Sequence, residues 1–184
     1  MKASKLVLAV ALFGLFLGAA SPSAAAEAFF REVGMSLYAN QDLDVDAGEV
    51  KSVGLAVAWA GPLKQGEATR LDLRLELQQG FFSGLQRGVE IATAPSLRFY
   101  FNWLGMRPFL EAGAGLSYVS LDIHELGTNF NFLTFAGLGV GVPLGEAARL
   151  DLGYRLRHLS NAGLDEYNHG LTSNQVQLTL RWDF

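Results

Sequence analysis

Apolar and polar residues alternate along most of the chain beyond its first few dozen positions. In TRLDLRLELQ, Leu71, Leu73, Leu75 and Leu77 share one parity, and Arg70, Asp72, Arg74, Glu76 and Gln78 share the other. A strand turns successive side chains to opposite faces, so this segment carries a leucine stripe on one side and a charged row on the other; helical spacing would scatter both sets around a cylinder. Further on, Val89, Ile91, Leu97, Phe99, Phe101 and Trp103 oppose Glu90, Ser96, Arg98, Tyr100 and Asn102. Leu150, Leu152, Tyr154 and Leu156 oppose Arg149, Asp151, Arg155 and Arg157, and the final run sets Val176, Leu178, Leu180, Trp182 and Phe184 against Gln175, Gln177, Thr179, Arg181 and Asp183.

Eight such runs are predicted, at about 29–40, 50–60, 69–79, 87–103, 107–120, 130–142, 148–160 and 172–184. Each is near or above the roughly 9–11 residues with which a β-strand crosses a membrane. The connections 41–49, 80–86, 121–129 and 161–171 read as long and polar, 104–106 and 143–147 as tight, and 61–68, with Gly61-Pro62, fits neither class well. Long loops on one rim and short turns on the other characterise outer-membrane barrels, which are usually even-stranded.

Parity alone does not say which face is inside, and a soluble lipocalin-like barrel has the same alternation with its apolar face buried. Three features favour the membrane. Residues 1–26 have the layout of an export signal: Lys2 and Lys5, an apolar run from Leu6 to Leu17 and the small-residue stretch SPSAAAEA. Trp59, Trp103 and Trp182 lie near strand ends, and the terminal RWDF resembles the closing aromatic signature of outer-membrane barrels. The expected class is therefore all-β, an eight-stranded antiparallel transmembrane β-barrel of the outer membrane, with 1–26 as signal peptide and 27–184 as the barrel domain.

Charge and composition narrow the function. Loss of Lys2 and Lys5 with the leader makes the formal charge of −4 two units more negative, which argues against a nucleic-acid partner. The chain has no cysteine, so neither disulfides nor a thiolate metal site enter. An eight-stranded barrel is just filled by its own side chains. The expected filling is Arg70, Arg74, Arg98, Arg149, Arg155, Arg157 and Arg181 with Asp72, Glu76, Glu90, Glu111, Asp151 and Asp183, which disfavours a pore. Gly113, Gly115, Gly137, Gly139 and Gly141 share the inward parity and are expected to make room for the arginines. DLDVDAGEV offers Asp42, Asp44, Asp46 and Glu49, yet Gly48 is one place late for a calcium loop and Val53 stands where its glutamate belongs, so a solvated acidic loop is expected. His124 and His169 read as exposed loop residues, and no metal site is expected.

His158 and Ser160 continue the parity of Leu150, Leu152, Tyr154 and Leu156, so both should face outward at the long-loop rim. Spacing i, i+2 puts them on one strand face, which suits a base and a hydroxyl nucleophile. The same spacing also fits two polar residues tolerated at an interface, and it decides nothing alone.

HLSNAG at 158–163 with the following N-x-G, RPFLEAGAGL at 107–116, and FNF before a glycine-rich strand together resemble the lipid A 3-O-deacylase (PagL) family. The similarity is good over 107–184 and mainly one of pattern before that. The resemblance implies an outer-membrane enzyme that hydrolyses the 3-O-linked acyl ester of lipid A, with His158 as general base, Ser160 as nucleophile and Asn161 at the oxyanion hole. Amide donors near Asn161 and Gly163 would stabilise the oxyanion. The family's orienting glutamate falls on Thr172, a departure that leaves Asp165 and Glu166 as nearby acids and a catalytically weak or inactive lipid-binding barrel as the alternative. Lipid A or lipopolysaccharide and the surrounding membrane are the expected partners, with a homodimer left open; no cofactor is implied.

Overall fold

The alternating runs pair as eight antiparallel strands: β1 (Glu32–Asp42), β2 (Val50–Gln65), β3 (Thr69–Gly84), β4 (Gly88–Phe101), β5 (Arg107–Val119), β6 (Phe130–Pro143), β7 (Ala148–Ser160) and β8 (Leu171–Asp183). Each strand pairs with its sequence neighbours, and β1 pairs with β8 from Glu32↔Asp183 to Asp42↔Ser173, which closes the barrel. The computed structural model describes residues 29–43, 49–166 and 169–184. The expected signal peptide therefore lies outside the described residues, as do Asp44 and Asp46 of the acidic segment.

Parity decides inside from outside as expected. Leu75, Leu97, Leu110, Leu116, Leu152, Leu156, Val176 and Leu178 are exposed on the outer wall, whereas Arg74, Arg98, Arg155, Arg157 and Arg181 are among the largest fully buried side chains. The interior is an ion-pair network. Glu111 accepts from Arg74 Nη1 at 2.9 Å, Arg98 Nη2 at 2.8 Å and Arg155 Nε at 2.6 Å. Asp151 accepts from Arg98 at 2.7 Å and Arg181 at 3.0 Å, and Arg157 pairs with Glu90 at 2.6 Å. Buried charges persist only when paired in this manner. Aromatic rings join the filling, with the Arg98 guanidinium 3.9 Å from the centroid of Phe109 and that of Arg155 4.3 Å from the centroid of Phe135.

The network departs from expectation at its edges. Asp183, expected inside, is exposed at the short-turn rim, because the last strand ends there. Its place is taken by Glu32, buried in β1 and paired with Arg149 and Arg181. Asp42 likewise ends β1 as a buried residue and is no part of a solvated loop, while Glu49 pairs with Lys51 at 2.6 Å. The inward glycines divide their work. A Cβ on Gly137 would stand 2.8 Å from Arg155, as expected, but on Gly139 it would meet Phe109 at 2.4 Å and on Gly113 Phe135 at 2.6 Å. On Gly115 it would meet the Thr93 main chain.

Strand ends differ from the sequence pattern where strands run on through residues that read as turns. β3 continues to Gly84, so the connection expected at 80–86 shrinks to 85–87. β2 continues past a bulge at Pro62/Lys64 to Gln65, which resolves the ambiguous 61–68 segment into a turn at 66–68. At the same rim, Trp103 bridges Met106 around Leu104 and Gly105, both at positive φ, the conformation a two-residue hairpin turn requires. β7 runs from that rim to the opposite one, where the 120–129 and 161–170 connections lie, and it ends at Ser160.

Candidate active site

The outer end of the β7–β8 hairpin breaks the apolar wall with a group of polar side chains. His158 and Ser160 are half-buried and alternate with the buried Arg157 and Leu159, so both belong to the outward parity, as the sequence pattern predicts. Register sets their neighbours. His158 lies between Thr134 of β6 and Thr172 of β8, and Ser160 lies beside Phe132 of β6. One step down the wall, the Tyr154 hydroxyl donates to Asn174 Oδ1. Asn174 had no signal in the sequence beyond its parity.

Thr172 is the direct strand partner of His158, and its Oγ1 stands 3.0 Å from His158 Nδ1. The hydroxyl thus occupies the place where an orienting acid would hold the ring. Occupation of Nδ1 leaves Nε2 as the nitrogen able to exchange a proton with a neighbouring hydroxyl, the division of labour that a serine–histidine pair requires. Gly170 lies against that edge of the ring, where only a residue without a Cβ fits. A Cβ there would stand 2.5 Å from Cε1 and 2.8 Å from Nε2, and the residue's φ of +76° is one that L side chains rarely adopt. The N-x-G motif contained this glycine, but only the fold shows what it faces.

Asn161 follows Ser160 and is fully buried. Its Nδ2 donates to the Leu126 carbonyl at 3.0 Å, and its Oδ1 accepts from the Gly163 N–H at 2.8 Å. The Gly163 amide, expected as an oxyanion donor, is engaged in that turn. Between the two, Ala162 adopts a φ of +54°. Asp165 and Glu166 are exposed in the same loop, and His124 and His169 are exposed in facing loops with ring centroids 6.2 Å apart. Among the described residues no group of three or more His, Cys, Asp or Glu side chains is placed to hold a metal ion.

Beside Ser160, an apolar groove of about 440 Å³ runs over the outer faces of β3 to β6. Phe132, Phe130, Tyr118, Leu116, Ile91 and Leu77 line it, and Leu164 of the 161–170 loop reaches across to it.

The fold and the site together define a class: a filled eight-stranded barrel whose outer wall carries a histidine, a serine and an apolar groove. Residues 48–181 match the family Lipid A 3-O-deacylase (PagL), and the chain belongs to that family. The matched span contains His158, Ser160, Asn161 and Thr172. Lipid A deacylase PagL of Bordetella bronchiseptica is 32% identical over 124 residues, which cover 65% of this chain and 66% of that protein. Lipid A deacylase PagL of Pseudomonas aeruginosa is 28% identical over 133 residues, covering 69% and 75%. The crystal structure of the outer membrane enzyme PagL superposes with a TM-score of 0.64 at 25% identity, covering 78% of this chain and 97% of that one.

Proposed function

We propose that this protein is an integral outer-membrane esterase that removes the 3-O-linked acyl chain of lipid A, with Ser160 as nucleophile and His158 as general base. The observation that carries the reading is the outward pair on β7 with His158 Nδ1 held by Thr172 in a chain of this family. Nε2 takes the Ser160 proton as Oγ attacks the acyl carbonyl, and the imidazolium returns that proton to the departing 3-hydroxyl of the sugar as the ester C–O bond breaks. Water, deprotonated by the same nitrogen, then hydrolyses the acyl-serine to free fatty acid. The groove beside Ser160 takes the acyl chain, so the substrate arrives sideways through the leaflet, on the long-loop side. Asn161 serves the oxyanion through the turn it shapes, setting the main-chain amides that follow Ser160.

Mass spectrometry of lipid A from cells with and without the expressed protein tests this. One ester-linked acyl chain disappears with the wild-type chain and is retained with Ser160→Ala; an unchanged lipid A profile despite correctly folded wild-type protein would overturn the reading.

A second reading has one observation in its favour, the hydroxyl of Thr172 where the family resemblance expects a carboxylate. It makes the barrel a lipid-binding or structural protein with an idle site. Reaction of Ser160 with a serine-directed esterase inhibitor separates the two, since a covalent adduct requires an activated hydroxyl.

A further inference from the structure

The 120–129 loop folds back over the mouth of the barrel. Its Leu121, Ile123 and Leu126 are buried in one apolar cluster with Leu133, Leu159 and Leu171. Leu159 sits between His158 and Ser160 in sequence, and Leu171 precedes Thr172; Leu159 is the strand partner of both Leu133 and Leu171. The outward polar site therefore stands on an inward floor of leucines. Leu126, 1% exposed, is buried with that floor.

Among the described residues, the same loop is hydrogen-bonded to the 161–170 loop at each end of it. The Leu126 carbonyl accepts from Asn161 Nδ2 at 3.0 Å, and the Glu125 carbonyl accepts from the Gly170 N–H at 2.9 Å. Asn161 directly follows the nucleophile proposed above, and Gly170 packs against the Cε1–Nε2 edge of His158. A connection of this length, joined only at its strand ends, has many conformations open to it. Two acceptors supplied by a different hairpin remove that freedom at the two points that border the reacting side chains.

We propose that segment 123–126, seated by Leu126, is a positioning element for ester hydrolysis: the β5–β6 hairpin clamps the β7–β8 loop at both ends and thereby fixes Ser160 and His158 relative to each other. The proposal rests on the deacylase reading and adds a residue that touches neither substrate nor reacting atoms. Leu126 acts through Asn161 and Gly170, so its loss disturbs geometry in the transition state and leaves the acyl groove in place. Small displacements of reacting groups cost on the order of 10²-fold in rate.

The test uses the full chain, refolded in detergent and assayed on lipid A in mixed micelles. Leu126→Ala is expected to lower kcat about 10²-fold with KM changed by less than about twofold, and Leu126→Met to restore most of the loss. Phe82→Ala, which opens the same cluster from β3 without touching either hydrogen bond, is expected to keep kcat. Folding is scored by the gel shift of the unheated barrel, and hydrogen exchange at the Gly170 amide reads the clamp itself, rising in Leu126→Ala and not in Phe82→Ala. Should Leu126→Ala fail to fold, Leu126→Val carries the same comparison with an intermediate loss. A folded Leu126 variant with wild-type kcat, a loss shared equally by Phe82→Ala, or a change confined to KM would overturn the proposal while leaving the deacylase reading intact. A wild-type protein without turnover would remove both.

Discussion

A threonine and a carboxylate hold an imidazole differently. A carboxylate only accepts, so it forces the ring proton onto Nδ1 and leaves Nε2 free to act as a base; a hydroxyl both donates and accepts, and at 3.0 Å Thr172 Oγ1 can satisfy either tautomer of His158. In the proposed mechanism, only the tautomer protonated on Nδ1 takes the serine proton. The hydroxyl also brings no negative charge to the imidazolium that forms as Ser160 attacks, whereas loss of the acid from a serine triad costs up to about 10⁴-fold. Thr172→Glu is therefore expected to raise kcat by roughly 10- to 100-fold, a fraction of that limit because the new acid enters a site not shaped for it. Thr172→Val, which keeps the shape and removes the hydroxyl, is expected to lower it. Equal rates for Thr172→Val and wild type would take the hydroxyl out of the mechanism.

At the scale of the strand and hairpin, period two places everything, because a slip of one residue would turn His158 and Ser160 inward and Arg157 out. The proposed function covers the outer wall with lipid, and one substitution tests that. Leu152 is 53% exposed near the middle of β7. Against hydrocarbon, Leu152→Arg is expected to cost about 2–4 kcal/mol in equilibrium unfolding from lipid vesicles. Against water, a surface change of this kind would stay within about 0.5 kcal/mol. The same periodicity explains what could be read from the sequence. Leucine stripes facing charged rows mark strands and parity without any knowledge of pairing, so the barrel, the arginine filling and the outward His158–Ser160 pair were all legible. The ends of β2 and β3 were not, because Gly61-Pro62, Gly80 and Gly84 read as turn residues while the strands run on through them. Register was not legible either, so nothing in the spacing of His158 and Thr172 made them strand partners. The clamp from Glu125 and Leu126 left no trace at all, since main-chain carbonyls have no side-chain signature, and Leu126 read as one more apolar loop residue.

For the whole molecule, the filled interior and the external site are two sides of one constraint. Eight strands leave no lumen for a substrate, so the proposed chemistry falls on the outer wall, and the inside is free to be rigid. Glu111 is the node of that rigidity, with Arg74, Arg98 and Arg155 all within 3.0 Å and Gln177 donating at 3.1 Å. Its removal strands three guanidinium groups beside one another with fewer acids to face, and breaking a buried pair in this way costs about 3–5 kcal/mol. Glu111→Ala is thus expected to lower the unfolding free energy in vesicles by about that amount. Catalysis should respond differently. The leucine floor and the loop clamp lie between Glu111 and the rim, so kcat per folded barrel in Glu111→Ala is expected to stay within about twofold of wild type. A large fall in kcat at full folding would show that the ion-pair core sets the geometry of the outer wall, and the division between a structural interior and a working exterior would have to be abandoned.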